Sequence, residues 1–357
     1  TTYAQEWRSA QTEDGTPSAM APMPKLEALQ TATGKPVITL AQLARFLRRP
    51  VGAFFKERLQ VHLEDERSEL HDEELFGLAG LDLYQLLDHE LTHVPADLNR
   101  QNVPAHVQHV VHSLRKAGAL PLAGVGALEA QNLASSLETL LDAAIRERED
   151  FPDVADRLLI DLSEADVHLQ DALGGILVGE QGALSLHMRA SHLADLKSKK
   201  PQALPDKLID VWLISLAAAA MGHALTLAVV GRNAVVRVAP QAPDAARAQL
   251  QQLLVTWADG MRWPLPLPPE TALQWLKAQG NDNALLDVYE GGHFKRAERS
   301  KDPALARTYP TLDALLAGGA FERLAEQVYA PLRDWAQACQ VEPLQGTQDV
   351  SDEEDMA

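Results

Sequence analysis

The stretch that most constrains this chain is 167–190, VHLQDALGGILVGEQGALSLHMRA. Apolar residues recur at every second position in its second half; they are Ile176, Val178, Leu184, Leu186 and Met188. Such alternation is typical of strands with one buried face. Gly179-Glu180-Gln181-Gly182 separates the two apolar sets and has glycine at both ends, as tight turns between antiparallel strands do. The stretch therefore predicts a β-hairpin.

The element after this hairpin is apolar nearly all round. It runs from Leu208 to Met221 and predicts a buried helix lying on the hairpin. A second hairpin is predicted over 223–238, around Gly231-Arg232-Asn233. Strands that alternate with a buried helix predict a mixed α/β core of the α+β class.

The whole chain can also be divided by composition and predicted structure. We predict a linker or extended arm at 1–36, one domain at 37–340 and an acidic disordered tail at 341–357. Within the domain we predict a helical part at 37–150, a sheet core at about 157–240 and C-terminal helices at 244–340. Thr39 and Gln42 have capping-box spacing at the start of the helical part. Gly124 and Gly126 predict a loop before a long helix over 127–149, and Asp244 predicts the cap of a helix ending near Met261.

The formal net charge of −18 disfavours binding to nucleic acid through the overall field of the chain. Seven of the acids fall within 64–74, which predicts a solvated loop. The densest basic patch of this acidic chain lies on two predicted helices and consists of Arg45, Arg48, Arg49, Lys56 and Arg58. It predicts a contact with DNA phosphate or with an acidic partner. An ordinary solvated helix face is an equally good interpretation.

The sequence carries no cofactor-binding motif. It lacks GxxxxGK[ST], and Gly124-Val125-Gly126 lacks the third glycine of a dinucleotide fingerprint. Its one cysteine, Cys339, excludes an internal disulfide and a multi-cysteine metal site within this chain. The longest apolar run, 211–221, is too short to cross a membrane, so the cytoplasm is the expected compartment.

His89-Glu90-Leu91-Thr92-His93 matches HExxH, in which two histidines bind zinc and the glutamate acts as general base. Pro95 ends the helix directly after it, and residues 94–128 contain no glutamate that could complete the site. The alternatives are a zinc hydrolase, an adventitious metal site helped by the histidines of 106–112, or a helix end that happens to carry histidines.

Residues 37–61, VITLAQLARFLRRPVGAFFKERLQV, resemble the C-terminal region of the RecC-type gamma subunit of the RecBCD helicase–nuclease, exodeoxyribonuclease V. The resemblance continues in the same order through 80–85 and 117–121. It returns at 260–265 and at Trp275-Leu276, so that it spans most of 37–276.

This resemblance implies a mixed sheet flanked by helices, similar to PD-(D/E)xK nucleases but catalytically degenerate. Active nucleases of that kind hold a divalent metal with acids on neighbouring strands and use a lysine to orient water. Aligned with them, the acidic positions fall at Leu177 and His187, and the lysine position falls at Arg189. Asp171 lies close to the first position, which leaves a residual metal-dependent nuclease as the alternative.

The resemblance also implies the function. The RecC-type subunit is the non-catalytic scaffold of a complex that repairs double-strand breaks for homologous recombination. Its partners are the RecB-type helicase–nuclease subunit, the RecD-type helicase subunit and DNA held by the assembled complex. For this chain we expect docking of subunits and help with routing DNA strands, with no catalytic centre, cofactor, metal or membrane contact of its own.

Overall fold

The computed structural model describes residues 25–31, 34–63, 80–95, 98–120, 123–164, 166–198, 200–278, 282–292 and 296–344. The helices are α1 Leu40–Arg48, α2 Pro50–Ala53, α3 Gly80–Thr92, α4 Val103–Lys116, α5 Ala123–Arg148, α6 Ile209–Ala220, α7 Pro243–Gly260, α8 Pro269–Lys277, α9 Asp282–Tyr289, α10 Pro303–Thr308, α11 Leu312–Leu316 and α12 Ala320–Ala338. Three further helical turns are a π-helical one at Phe54–Arg58, directly after α2, and 3₁₀ turns at Pro205–Leu208 and Glu298–Lys301.

The strands form two mixed sheets and one short ribbon. They are β1 Val37–Ile38, β2 Asp153–Val154, β3 Leu158–Glu164, β4 Val167–Leu173, β5 Ile176–Gly179, β6 Gly182–Met188, β7 Ala194–Asp195, β8 Gln202–Ala203, β9 Leu225–Val230, β10 Ala234–Val238 and β11 Gln340–Pro343. The larger sheet has the order β11-β10-β9-β6-β5-β2, in which β6 and β9 are parallel and the other pairs antiparallel. The smaller sheet has the order β1-β4-β3. The predicted α+β class is confirmed.

The six-stranded sheet lies between two helical layers. Leu186 and Met188 of β6 pack on the side of α3, α4 and α5, in a cluster that also holds Val230 and Val235. The opposite face of β9 and β10 packs against α6 and α12. Successive side chains along each strand therefore point alternately into two separate hydrophobic clusters, as expected for a sheet covered on both faces.

Both predicted hairpins are present. Gly179 pairs with Gly182 at the tip of the first, and β9 pairs with β10 in the second. A Cβ on Gly179 would lie 1.9 Å from the backbone oxygen of Asp150, so the turn needs glycine for this close approach as well as for its tightness. The predicted buried helix is α6, although it packs most extensively on α7, α1 and β9 instead of on the first hairpin.

Helix α1 begins as its sequence predicted. The Thr39 side chain accepts a hydrogen bond from the Gln42 backbone at 3.2 Å, and the Gln42 side chain accepts one from the Thr39 backbone at 2.9 Å. The smaller sheet adds to this cap, because Asp171 of β4 accepts a hydrogen bond from the backbone of Leu40 at 2.9 Å. The start of the helix is thereby tied to the strand beneath it.

Three predictions of element position were wrong. Gly124 and Gly126 lie inside α5 instead of in a loop before it, and the residue that caps α7 is Ala242, with Asp244 in the first turn. Strand β11 occupies the first residues of the segment predicted as a disordered tail.

Two acidic segments, 64–74 and 345–357, lie outside the described residues. Of the helices in the described ranges, none has the length and apolar character to cross a membrane.

Candidate functional site

One face of β6 carries polar residues in the second half of the strand. Ser185 and His187 point to the same side because they are two residues apart, and the hydroxyl of Ser185 lies 3.0 Å from Nε2 of His187. The backbone of Arg189 continues the pairing, since its N–H donates to Val230 at 2.8 Å. His187 and Arg189, two positions singled out by the sequence, therefore lie together beside α6.

A single carboxylate joins this strand to two helices. Asp210, in the first turn of α6, accepts a hydrogen bond from Arg48 of α1 at 2.8 Å and another from Arg189. The Asp210 side chain is 22% exposed, Arg189 31% and Arg48 42%. The N-terminal end of a helix also favours a negative charge, so the helix dipole of α6 and the two arginines all attract the Asp210 carboxylate.

The charge network sets the state of His187. The pKa of His187 is lowered to about 4, mainly by burial and also by the positive charge of Arg189, while Asp210 opposes the shift. The imidazole of His187 is therefore neutral near pH 7. A neutral ring and a guanidinium thus stand at the two positions that the resemblance aligns with an acid and a lysine of metal-dependent nucleases.

The third aligned position, Leu177, does not share this face. Leu177 of β5 is directly opposite Leu184, whereas Ile176 is opposite Ser185. Residues that pair directly across an antiparallel ladder point to the same side of the sheet. Leu177 therefore lies on the other face from His187, and the residue of β5 that shares the His187 face is Ile176.

Asp171 does not supply a carboxylate to this site either. It lies on β4 in the smaller sheet, and its two oxygens accept hydrogen bonds from the backbones of Leu40 and Ala172 at 2.9 and 2.8 Å. The described geometry gives Asp171 a capping role at α1 and does not bring it together with His187.

The predicted basic patch divides into two groups. Arg48 is bound to Asp210, and Arg58 donates to the backbone oxygen of Glu27 at 3.1 Å. Arg45, Arg49 and Lys56 are exposed, and within the described residues none of their three side chains donates a hydrogen bond or forms an ion pair. All three line one groove. The members of the basic patch whose side chains have no bonded partner among the described residues therefore share one surface.

The HExxH segment lies at the end of α3, where His89 and His93 are both exposed. Nδ1 of His93 lies 2.8 Å from the backbone oxygen of His89 and 2.9 Å from the hydroxyl of Thr92. The two rings contact each other with centroids 4.5 Å apart. Across the part of the chain that the structure describes, no three His, Cys, Asp or Glu side chains are close enough to hold a metal ion.

Asp210 is the one site residue of this network that no pattern in the sequence analysis predicted. It is the one charged residue within α6, whose other residues are apolar apart from Ser215. A lone carboxylate in an otherwise buried helix needs a compensating cation, which is the signal that could have identified it.

The fold and the site together define an α+β domain that carries a network of paired charges at its central sheet. A family model described as the RecC C-terminal domain matches residues 35–280. The chain therefore belongs to the RecC C-terminal domain family, and the family predicted from residues 37–61 is confirmed.

Two curated relatives carry the same family name. The chain is 28% identical to the RecBCD enzyme subunit RecC of Escherichia coli K12 over 315 residues, which cover 83% of this chain and 25% of that protein. It is 25% identical over 250 residues to the RecBCD enzyme subunit RecC of Mycobacterium tuberculosis CDC 1551, covering 68% of this chain and 20% of that protein. The chain thus spans a quarter or less of the length of these relatives.

Proposed function

We propose that this chain is the C-terminal, non-catalytic part of a RecC-type subunit in a RecBCD-type DNA-repair complex. It docks partner subunits, of the RecB helicase–nuclease and RecD helicase types, and helps to route DNA strands through the assembly. The observation that carries the proposal is the match of the RecC C-terminal domain model to residues 35–280.

The geometry beside β6 supports the non-catalytic part of this proposal. A PD-(D/E)xK-like sheet needs acidic oxygens to bind a divalent cation at its central strands. Here Asp210 is the acid beside His187 and Arg189, and two guanidiniums already bind it. The positive charges of Arg48 and Arg189 repel a metal ion from this place. The network instead fixes β6, α6 and α1 to one another, as a rigid docking module requires.

Copurification tests the docking role. We expect the chain, coexpressed with the RecB-type and RecD-type subunits of its own organism, to be retained with at least one of them through size-exclusion chromatography. Retention of neither subunit would overturn the proposal. The double charge reversal Arg45→Glu/Arg49→Glu, which leaves the Arg48–Asp210 pair intact, should weaken assembly or the DNA affinity of the complex. A loss of phosphate contacts would also flatten the salt dependence of DNA binding.

A nuclease assay tests the absence of catalysis. We expect the purified chain to release no nucleotides from linear DNA in the presence of magnesium or manganese. Metal-dependent release that Asp171→Ala abolishes would replace the scaffold by the residual nuclease considered above.

A further inference from the structure

A groove of about 450 Å³ runs between the first helices and the start of α10. Arg45 and Arg49 come from α1 and its C-terminal cap, and Lys56 comes from the π-helical turn. Phe55, Val61 and Leu63 form apolar parts of the same wall. Cationic tips above an apolar wall are the arrangement that fits a ligand with both acidic and apolar groups.

The chain takes a costly backbone conformation to form this wall. Gln60 has a φ of 57°, in the left-handed region that residues other than glycine rarely adopt. Its side chain donates to the backbone of Glu57 at 2.9 Å, and the next residue, Val61, donates its N–H to Phe55 at 2.9 Å. The turn leaves the Val61 side chain 40% exposed at the groove, where an apolar contact from a partner would cover it.

Two carboxylates also line the groove, and neither neutralises its cations by direct contact. Asp302 caps α10, accepting hydrogen bonds from the backbones of Ala304 and Leu305 at 3.0 and 3.4 Å. Glu57 forms no ion pair within the described residues, and burial raises its pKa, while Arg45 and Lys56 oppose that shift from a distance. The cations therefore remain available to a ligand.

The side chains that line the groove favour a peptide over a nucleic-acid strand. Grooves for single strands stack successive bases on open aromatic rings. Phe55 is only 7% exposed, and its ring packs edge-on against Phe54 with centroids 5.9 Å apart. His62 is the one exposed ring in the described lining. Val61 and Leu63, in contrast, offer a surface for aliphatic side chains.

We propose that this groove binds an acidic segment of a partner protein in which glutamate or aspartate residues are interleaved with aliphatic ones. Arg45, Arg49 and Lys56 pair with the acids, and Val61 covers an aliphatic side chain. The inference names the partner chemistry for the docking role proposed above and rests on that role. Its test uses this chain alone, so failure of peptide binding and failure of subunit copurification are separate results.

The probe is a short fluorescent peptide of Glu-Glu-Leu repeats, titrated with the whole chain and followed by fluorescence anisotropy. We expect saturable binding that the triple variant Arg45→Glu/Arg49→Glu/Lys56→Glu weakens about tenfold, since three exposed ion pairs are lost together. The triple glutamine variant at the same positions should weaken binding less but in the same direction. Both variants should keep the thermal midpoint of the parent chain, because these side chains bond nothing within the described residues. If the triple glutamate variant does not fold, the peptide affinity of the triple glutamine variant tests the proposal in its place.

The matched control reverses three other exposed cations, Arg115→Glu/Lys116→Glu/Lys200→Glu, and should leave peptide affinity within about twofold, the change expected from screened long-range charge. An all-glutamate peptide of equal length should bind more weakly than the mixed peptide, and Val61→Ser should remove that preference. A thymidine oligonucleotide that binds through the three cations, while the mixed peptide does not, would overturn the proposal in favour of a nucleic-acid site. Equal losses in the two charge-reversal variants, or no binding by the parent chain, would overturn it as well.

Discussion

The guanidinium of Arg189 donates a hydrogen bond to the carboxylate of Asp210, which joins strand β6 to the first turn of α6. Arg48 of α1 binds the other oxygen of the same carboxylate. Asp210→Ala leaves two partly exposed guanidiniums facing each other without their shared anion. We expect it to lower the free energy of unfolding by about 1–3 kcal/mol, measured by urea denaturation.

Asp244→Ala is the matched control for this prediction. Asp244 also lies in the first turn of a long helix, α7, but it is exposed and forms no ion pair within the described residues. The Asp244→Ala variant should lose only the interaction of the carboxylate with the helix dipole, which lowers the free energy of unfolding by roughly 0.3–1 kcal/mol. Equal losses in the two variants would mean that the arginine pairs at Asp210 add nothing to stability.

The C-terminal end of α7 approaches α1 at a glycine. A Cβ on Gly260 would lie 2.3 Å from Cε2 of Phe46, whose ring is fully buried. Gly260→Ala should therefore force the two helices apart and destabilise the chain by about 1–3 kcal/mol, the usual cost of overpacking a core. A thermal melt followed by circular dichroism would measure this shift.

Gly124→Ala is the control for Gly260→Ala, because it adds the same methyl group to a helix at a position with free space around it. Nothing lies within 4 Å of a Cβ at Gly124, which is part of α5. Alanine has the higher helix propensity, so this substitution should be neutral or stabilise the chain by up to about 1 kcal/mol. Destabilisation by both substitutions to the same extent would contradict the packing argument at Gly260.

Local patterns predicted the elements of this fold better than they predicted its pairings. The alternation over 176–188 and the capping box at Thr39 identified strands and a helix start because both signals depend on neighbouring residues. The partner of β3 depends on contacts that local alternation does not encode, and its alternating residues suit either sheet equally well. The low helix propensity of glycine predicts a loop at Gly124 and Gly126, but the packing of α5 on the sheet overrides that propensity.

The candidate site shows the same division between local and distant information. His187 and Arg189 could be placed together because they are two residues apart on one strand. Leu177 could not be placed, since a one-residue shift of register moves it to the other face. That Arg48 pairs with Asp210, 162 residues away, and that Arg45, Arg49 and Lys56 do not, follows only from the packing of α1 on α6.

Metal analysis tests the HExxH segment. His89 and His93 contact each other at an exposed helix end, and the described residues near them include no third ligand. Protein purified without chelator and then dialysed should retain far less than one zinc per chain, because stable zinc sites use three or four protein ligands. One equivalent of zinc that His89→Ala/His93→Ala removes would restore the zinc-hydrolase hypothesis.

The pH dependence of stability tests the surroundings of His187. Its pKa is about 4 in the folded chain, against an ordinary value of 6.5. The unfolded chain therefore binds more protons between these pH values, so this group makes the folded state less stable as the pH falls from 6.5 towards 4. Glu298 acts in the opposite direction, because burial raises its pKa from 4.5 to about 7 and the folded chain holds the extra proton. The stability of the parent chain alone would mix the two effects.

The difference in unfolding free energy between the parent chain and His187→Gln separates them, since Glu298 is common to both. We expect this difference to shift by about 2 kcal/mol between pH 7 and pH 5, with the parent chain losing stability relative to the variant. The same substitution at the exposed His223 controls for the loss of a histidine as such. A constant difference across this pH range would mean that His187 is as free to take up a proton in the folded chain as in the unfolded one. The charge network of Arg48, Asp210 and Arg189 would then lie in more open contact with water than its packing against α6 indicates.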